Sequence, residues 1–401
     1  MTNSPIEEVE FVVVGCGPAG GTAAREAARA GTETMVLEKD AIVGAKRVCA
    51  AGLRPGFART FDLPQSIIHF DTPRIALFTA ADRCYDFTVT PAHTTTREEL
   101  DGTIAELARG EGAEIRTSSL FRGYEPQDNS IVVHYADGRS GERKALRCRN
   151  LFLAQGATAR LEETPFHFRL WDAGLITTLQ YRVYLQRRAA QIAYSTLELH
   201  YFLTKSRRQI VGWMFPKRDH LAIGLGVVGK MPGKELRDEL NRFTERVQAR
   251  LYPDVPMTVR QEGHLLYGGF PRHRIAIDAV MVGGTAAGLV DATTGEGIYE
   301  AALSGRFAAL ALRESHRGTM SVGKLYERWT KDRLYRKLSS RVALLSFLQR
   351  KQRRFDVLFR QLATTPRFAD IMQREDEELK FADRAYLCWQ IAKFSASAAV
   401  A

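Results

Sequence analysis

Long apolar runs are missing from these 401 residues. No stretch reaches the roughly 18 apolar residues that a bilayer-spanning helix needs, so no membrane-crossing segment is expected. The opening MTNSPIEEVE is polar and acidic, where a secretory leader would have basic residues and then an apolar core. We read the chain as cytoplasmic, with the inner face of a membrane as a peripheral station. Cysteine is sparse. Cys16, Cys49, Cys84, Cys148 and Cys388 are odd in number, widely spaced and include no Cys-x-x-Cys pair. That argues against a disulfide framework and a structural zinc site, and for free thiols. No second histidine stands beside His264 at metal-ligand spacing, so no metal is expected. Internal repeats, low-complexity tracts and recognised nucleic-acid modules are also missing, and nucleic acid is not an expected partner.

Acidic residues are outnumbered: 46 Asp and Glu face 57 Lys and Arg, a formal charge of +11. By itself this excess favours nucleic acid, acidic lipid surfaces or phosphorylated ligands, and is equally the signature of a solvated surface. The segment 331–360 is strongly basic, with Leu, Val and Phe at helical spacing. Such a helix lies on an anionic membrane or packs its apolar face on its own domain.

Apolar residues make up 45% of the chain, enough for two or three domains. FVVVG at 11–15 reads as a buried strand, residues 18–30 as an Ala-rich helix, and TMVLE at 34–38 as a second strand. Strand–helix–strand order suits a parallel sheet. Residues 97–109 form an amphipathic helix behind Thr96, and LFLAQG at 151–156 is another short buried strand. Between about 165 and 270, TTLQYRVYL and AIGLGVV alternate as strands of a mixed or antiparallel sheet do. AVMVGG at 279–284 then returns to the buried-strand pattern, and the last seventy or so residues read as helical.

The first strand ends in Gly15, Gly17 and Gly20, the G-x-G-x-x-G spacing. Such glycines allow a tight turn, a close approach to pyrophosphate and tight helix packing, and the helix N-terminus presents N–H groups to phosphate. Glu38, at the end of the second strand, stands where an acidic residue binds ribose hydroxyls. These features point to a dinucleotide and leave FAD and NAD open. A second glycine-rich segment, MVGGTAAGLVDATTGEGIYEAA at 281–302, runs from a buried strand through Gly295 and Gly297 into a helix.

With GCGPAGG at 15–21, KRVCAAGLRP at 46–55, TREELDGTI at 96–104, VGWMFPKRDHLAIGLGV at 211–227 and EGHLLYGG at 262–269, the chain resembles the geranylgeranyl reductase family. These are flavoproteins built like p-hydroxybenzoate hydroxylase. The resemblance implies an α/β fold: a Rossmann-like FAD-binding domain at 1–165 plus 270–320, an inserted mixed or antiparallel β-sheet substrate domain at 166–269, and a C-terminal helical region at 321–401. It implies FAD held by Gly15, Gly17, Pro18, Ala19, Gly20, Glu38, Lys39, Arg47, Cys49, Ala50, Arg97, Gly156, Thr285, Ala287, Gly288, Gly295, Gly297 and Ile298. Cys49 would be the catalytic thiol beside the flavin. Trp213, Phe215 and Tyr267 would line the path of a hydrophobic prenyl chain, and Lys217 is either a head-group contact or a surface lysine. The chain departs from the family at Thr285 and Gln155, where aspartate is usual, and at Ala50, where glycine is.

The implied activity is reduction of prenyl carbon–carbon double bonds on a lipid, diphosphate, chlorophyll or quinone. NADPH, reduced ferredoxin or a quinol would be the electron donor. The alternatives are a flavin monooxygenase or halogenase of a hydrophobic substrate, or a non-enzymatic chain that keeps the fold without flavin. Trp213 and Pro216 match the halogenase Trp-x-Trp-x-Ile-Pro stretch, whereas Val211 and Phe215 do not.

Overall fold

The computed structural model describes residues 6–45, 49–159, 175–185, 196–203, 209–251, 256–267, 274–315, 317–318, 320–372 and 379–400, with 166, 253 and 374 singly. The chain divides into two units. One comprises 1–47, 97–175 and 265–342, the other 48–96, 176–264 and 343–401.

The first unit is built on the Glu7–Val14 strand. Its Phe11–Val14 run is apolar without alternation and buried, the pattern of a parallel strand covered on both faces. It pairs in parallel with Thr34–Leu37 on one side and Arg143–Leu153 on the other. Glu114–Arg116 and Val280–Val282 extend the parallel sheet outward. The helices Pro18–Arg29 and Ile298–Ser315 pack together beside it, and Arg97–Gly110 packs on the first of them. In register, Val14 lies beside Leu37 and Leu153, and Leu153 beside Val282. Four strands therefore end level, and in open α/β sheets ligands bind past these carboxyl ends.

The second unit holds an eight-stranded sheet that includes Phe70–Phe78, Cys84–Thr94, Leu175–Leu185, Thr196–Leu203, Gln209–Pro216 and Leu221–Val228. Most pairs are antiparallel. Thr196–Leu203 runs parallel to Phe70–Phe78, so the sheet is mixed. Alternation decides the two faces. Leu179, Tyr181, Val183, Ile210, Met214, Ile223 and Leu225 form one core with Leu236, Leu240, Phe243 and Val247 of the Gly233–Leu251 helix. Near the other end of the sheet, Leu77 and Tyr201 join Phe355, Phe359 and Phe394 from the C-terminal helices.

The mixed sheet and the helical C-terminus agree with the sequence reading, but the unit boundaries differ from it. Residues 48–96 group with the second unit, because Phe70–Phe78 and Cys84–Thr94 hydrogen-bond into its sheet. Residues 343–401 also group there. The basic 331–360 segment is helical as expected. Its Leu334 and Leu338 belong to the first unit's core, and Leu348, Phe355, Leu358 and Phe359 to the second's. Among the described residues, no helix is long and apolar enough to cross a membrane.

Candidate functional site

In the first unit the glycine turn is required by contact. Gly15 adopts φ 93°, and a Cβ there would lie 2.6 Å from the Ala154 carbonyl oxygen. A Cβ on Gly20 would lie 1.8 Å from the Gly15 carbonyl oxygen, where no side chain fits. Pro18 sits at the start of the helix, where its missing N–H costs nothing. Ala19 is buried, and the carbonyl oxygen of Ala19 lies 2.1 Å from where a Cβ on Gly305 would be. Gly305 thus sets how closely Pro18–Arg29 and Ile298–Ser315 approach.

Near the missing Cβ of Gly17 stands the Arg97 guanidinium, its Nη2 3.3 Å away. Asp101, one helical turn on, holds that guanidinium through Nη2 at 2.6 Å and Nε at 2.9 Å. A cation therefore faces the first turn of a helix whose own N–H groups also favour an anion. Glu38 is buried just past the second strand and accepts hydrogen bonds from the backbone N–H of Cys16 at 2.7 Å and of Asp40 at 2.9 Å. Burial pushes its pKa up. A carboxylate has about four acceptor directions, so two remain for hydroxyl donors. Lys39 beside it is exposed.

Two further turns follow the other aligned strands. Gln155 and Gly156 succeed Leu153, and the Gly156–Thr158 turn lies against Gly284–Ala287. The Oε1 of Gln155 is buried and has no hydrogen-bond partner among the described residues, a state that costs free energy unless a ligand donor fills it. Thr285 is half-buried, and its carbonyl accepts from Gly288 N at 3.0 Å. Ala287 is buried beside it. Gly295 N donates to the Asp291 carbonyl at 2.8 Å, and Gly297 packs against Val290 just before Ile298 opens its helix. The described first-unit candidates thus gather at one edge of one sheet. An unpartnered buried acceptor, a cation at a glycine-capped helix start and a buried carboxylate fit a dinucleotide.

In the second unit, Cys49 and Ala50 are half-buried in the loop before Gly52–Leu53. The Cys49 Sγ accepts from Ala51 N at 3.3 Å, and Ala51 is held in the left-handed region at φ 45°. Lys217 is not a surface lysine. It is only 4% exposed, and its Nζ donates to the carbonyls of Ala50 at 2.5 Å and Ala51 at 3.2 Å. The Phe215 ring fills the space beside Gly52, 2.7 Å from where a Cβ would be.

The half-buried Trp213 lies over Gly224, whose Cβ would come within 2.3 Å of the indole. Trp213 Nε1 donates to Gln180 Oε1 at 3.0 Å. Thr178, Gln180 and Arg182 share that face and are all buried. Thr178 Oγ1 donates to the His264 carbonyl at 2.8 Å, and Arg182 pairs with Glu262 at 3.0 Å. The sequence reading did not single out Gln180, Arg182 or Glu262. The signal lay in TTLQYRVYL, where polar residues at every second position of a buried strand mark a polar-lined face. Arg47 lies outside the described residues, as does the side chain of Tyr267. Among the described residues no His, Cys, Asp and Glu cluster could hold a metal ion.

Comparison with known proteins agrees with this geometry. Over 328 residues the chain is 29% identical to geranylgeranyl diphosphate reductase of Oryza sativa, which covers 76% of this chain and 66% of that protein. It is 26% identical to digeranylgeranylglycerophospholipid reductase 1 of Methanothermobacter thermautotrophicus, covering 86% and 87% of the two chains. A geranylgeranyl bacteriochlorophyll reductase-like protein of Thermoplasma acidophilum superposes with a TM-score of 0.80 at 21% identity, over 98% of each chain, and so shares the fold. The model of the FAD binding domain matches residues 8–255, more than half the chain and including the turn at Gly15–Gly20, Glu38 and Arg97; this protein belongs to that flavoprotein family.

Proposed function

We propose that this protein is a flavin-dependent reductase that saturates carbon–carbon double bonds in a prenyl chain. The chain would be carried by a lipid, a diphosphate, a chlorophyll or a quinone. The observation that carries this reading is the Trp213 face of the second unit. There Gly224 and Gly226 leave room for the Trp213 indole to lie across the strand, its Nε1 donating to Gln180, while Arg182 is paired with Glu262. A half-buried indole seated on a glycine floor, with half-buried Phe215 on the same strand, offers an extended hydrocarbon an apolar surface. Relatives named for reductases of geranylgeranyl compounds support the same substrate class.

FAD, once reduced, supplies a hydride. The backbone of Gly15–Gly20 and the Arg97 guanidinium would bind the pyrophosphate, Glu38 the ribose, and Lys39 and Arg47 would flank the nucleotide. Gln155 with Gly156, Thr285, Ala287 and Gly288, and the Gly295–Gly297–Ile298 helix start would receive the rest of the cofactor. Ala50 would lie against the cofactor, and Cys49 would stand beside the reacting carbon as a proton source. Phe215, Trp213 and Tyr267 would align the chain and exclude water. NADPH, reduced ferredoxin or a quinol would return the electrons. A prenyl lipid resides in a bilayer, so the enzyme would work at a membrane surface.

The test is anaerobic reduction of the purified holoprotein, followed by mixing with prenyl lipids and mass spectrometry. Gain of two hydrogens per double bond is expected. Reoxidation by oxygen alone, with an oxygen atom added to a product, would overturn the proposal in favour of a monooxygenase.

A further inference from the structure

The basic 331–360 segment spends its apolar side chains inside the two units, which leaves little apolar surface there for lipid. The last helix, Phe381–Val400, is the reverse case. Its inner side packs Gln390, Phe394 and Ala398 into the second unit. At helical spacing its outer side presents Phe381, Ala385, Cys388, Trp389, Ala392 and Ala396, all exposed. Phe381 is 87% exposed and Trp389 58%. No charged residue interrupts this stripe.

The charges lie on its flanks. From residue 384 onward the chain has two cations, Arg384 and Lys393, and no acid. On a helical projection they fall on opposite sides of the stripe, and Lys393 Nζ stands 5.7 Å from the Trp389 ring centroid. Asp383, at the helix start, is paired with Arg367 at 3.2 Å. Exposed Arg360 and Lys380 add positive charge on the preceding segments. The acidic run 375–378 lies outside the described residues.

We propose that the outer face of Phe381–Val400 is a docking surface for an anionic lipid membrane, with Phe381 and Trp389 entering the interface and Arg384 and Lys393 meeting lipid phosphates. An apolar stripe with cations at its edges and tryptophan at its centre is the arrangement of a helix lying in the plane of an interface. The cationic flanks favour an anionic bilayer over a second copy of this helix, whose own flanks would repel them. The purpose of such docking rests on the proposed prenyl-lipid substrate; the docking itself does not.

The experiment is flotation of the full-length holoprotein with vesicles of phosphatidylcholine containing one quarter phosphatidylglycerol and no prenyl lipid. Wild type is expected to float with these vesicles and to bind pure phosphatidylcholine more weakly. The Phe381→Ser, Trp389→Ser double variant should lose roughly ten-fold in binding for each aromatic removed. Arg384→Glu with Lys393→Glu should abolish the preference for anionic vesicles. Unchanged flavin content and thermal unfolding verify that the variants fold. Failure of wild type to float, or equal flotation of the aromatic double variant, overturns the proposal. So does a wild-type dimer in sedimentation that the aromatic substitutions dissolve, which would assign the stripe to a second copy. Turnover of detergent-solubilised prenyl substrate is measured separately. Its loss in wild type would refute the reductase reading and leave the docking result standing.

Discussion

Lys217→Met tests whether the Cys49 loop is held by a buried ammonium. The loop has reason to open, because Ala51 sits at φ 45°, a conformation costing a non-glycine residue on the order of 1 kcal/mol. Against this stand the 2.5 Å bond from Lys217 Nζ to the Ala50 carbonyl and the 3.2 Å bond to Ala51. A hydrogen bond from a charged donor contributes about 1.5–3 kcal/mol. The Ala50 bond counts near the upper end. The Ala51 bond adds less, because that carbonyl also accepts from Thr95 N at 3.1 Å. Methionine keeps the apolar stem and removes the desolvation cost of the ammonium, which offsets part of the loss. The net is about 2 kcal/mol, a factor of about 30 in local opening. Hydrogen exchange of a peptide spanning residues 49–53 should accelerate by that factor, with exchange in Glu7–Val14 unchanged. Acceleration below about three-fold would refute the clamp. Equal acceleration throughout Gln209–Pro216 would show that Lys217 supports the whole sheet instead.

Three other outcomes follow from the same contacts. Gly20→Ala forces a Cβ to 1.8 Å from backbone, so the variant should be insoluble or purify without flavin absorbance, whereas Gly17→Ala meets only the end of the Arg97 side chain and should fold. Arg97→Gln takes the bidentate partner from Asp101, which is 3% exposed; denaturant unfolding should show a loss of about 3 kcal/mol, and a further Asp101→Asn change should recover much of it. His200 and His220 are buried, and burial holds their pKa values below the ordinary histidine value. A base whose folded pKa is depressed stabilises the protein above its unfolded pKa and loses that contribution as pH falls through the folded one. Thermal stability should therefore drop as pH is lowered from about 6.5, and His200→Gln should make the decline shallower. Glu198, which burial would raise, is held below the ordinary carboxylate range by hydrogen bonds from His200 and Arg250, so its loss of charge steepens the same fall at lower pH.

Local chemistry made much of this protein legible from residues alone. The Gly15–Gly20 turn, the continuous apolar strands and Glu38 obey rules that act within about thirty residues of chain, because steric limits on the backbone and burial on both strand faces leave few other conformations. The two-residue alternation around Trp213 likewise identified its strand and the residues sharing its face. Other features depend on partners distant in sequence. Residues 48–96 group with the second unit because Phe70–Phe78 finds its hydrogen-bond partner at Thr196–Leu203, more than a hundred residues on, and pairing across that distance leaves no periodic trace. Lys217 looked like a surface charge because lysine usually is one; two carbonyls from the Cys49 loop bury it. The apolar side of 331–360 looked available to lipid until the fold buried it, while the exposed stripe of Phe381–Val400 drew no notice because its composition is ordinary. Composition and period set what each segment can form. Which face meets protein and which meets solvent was settled only when the units packed, since burial depends on neighbours that the chain brings in from elsewhere.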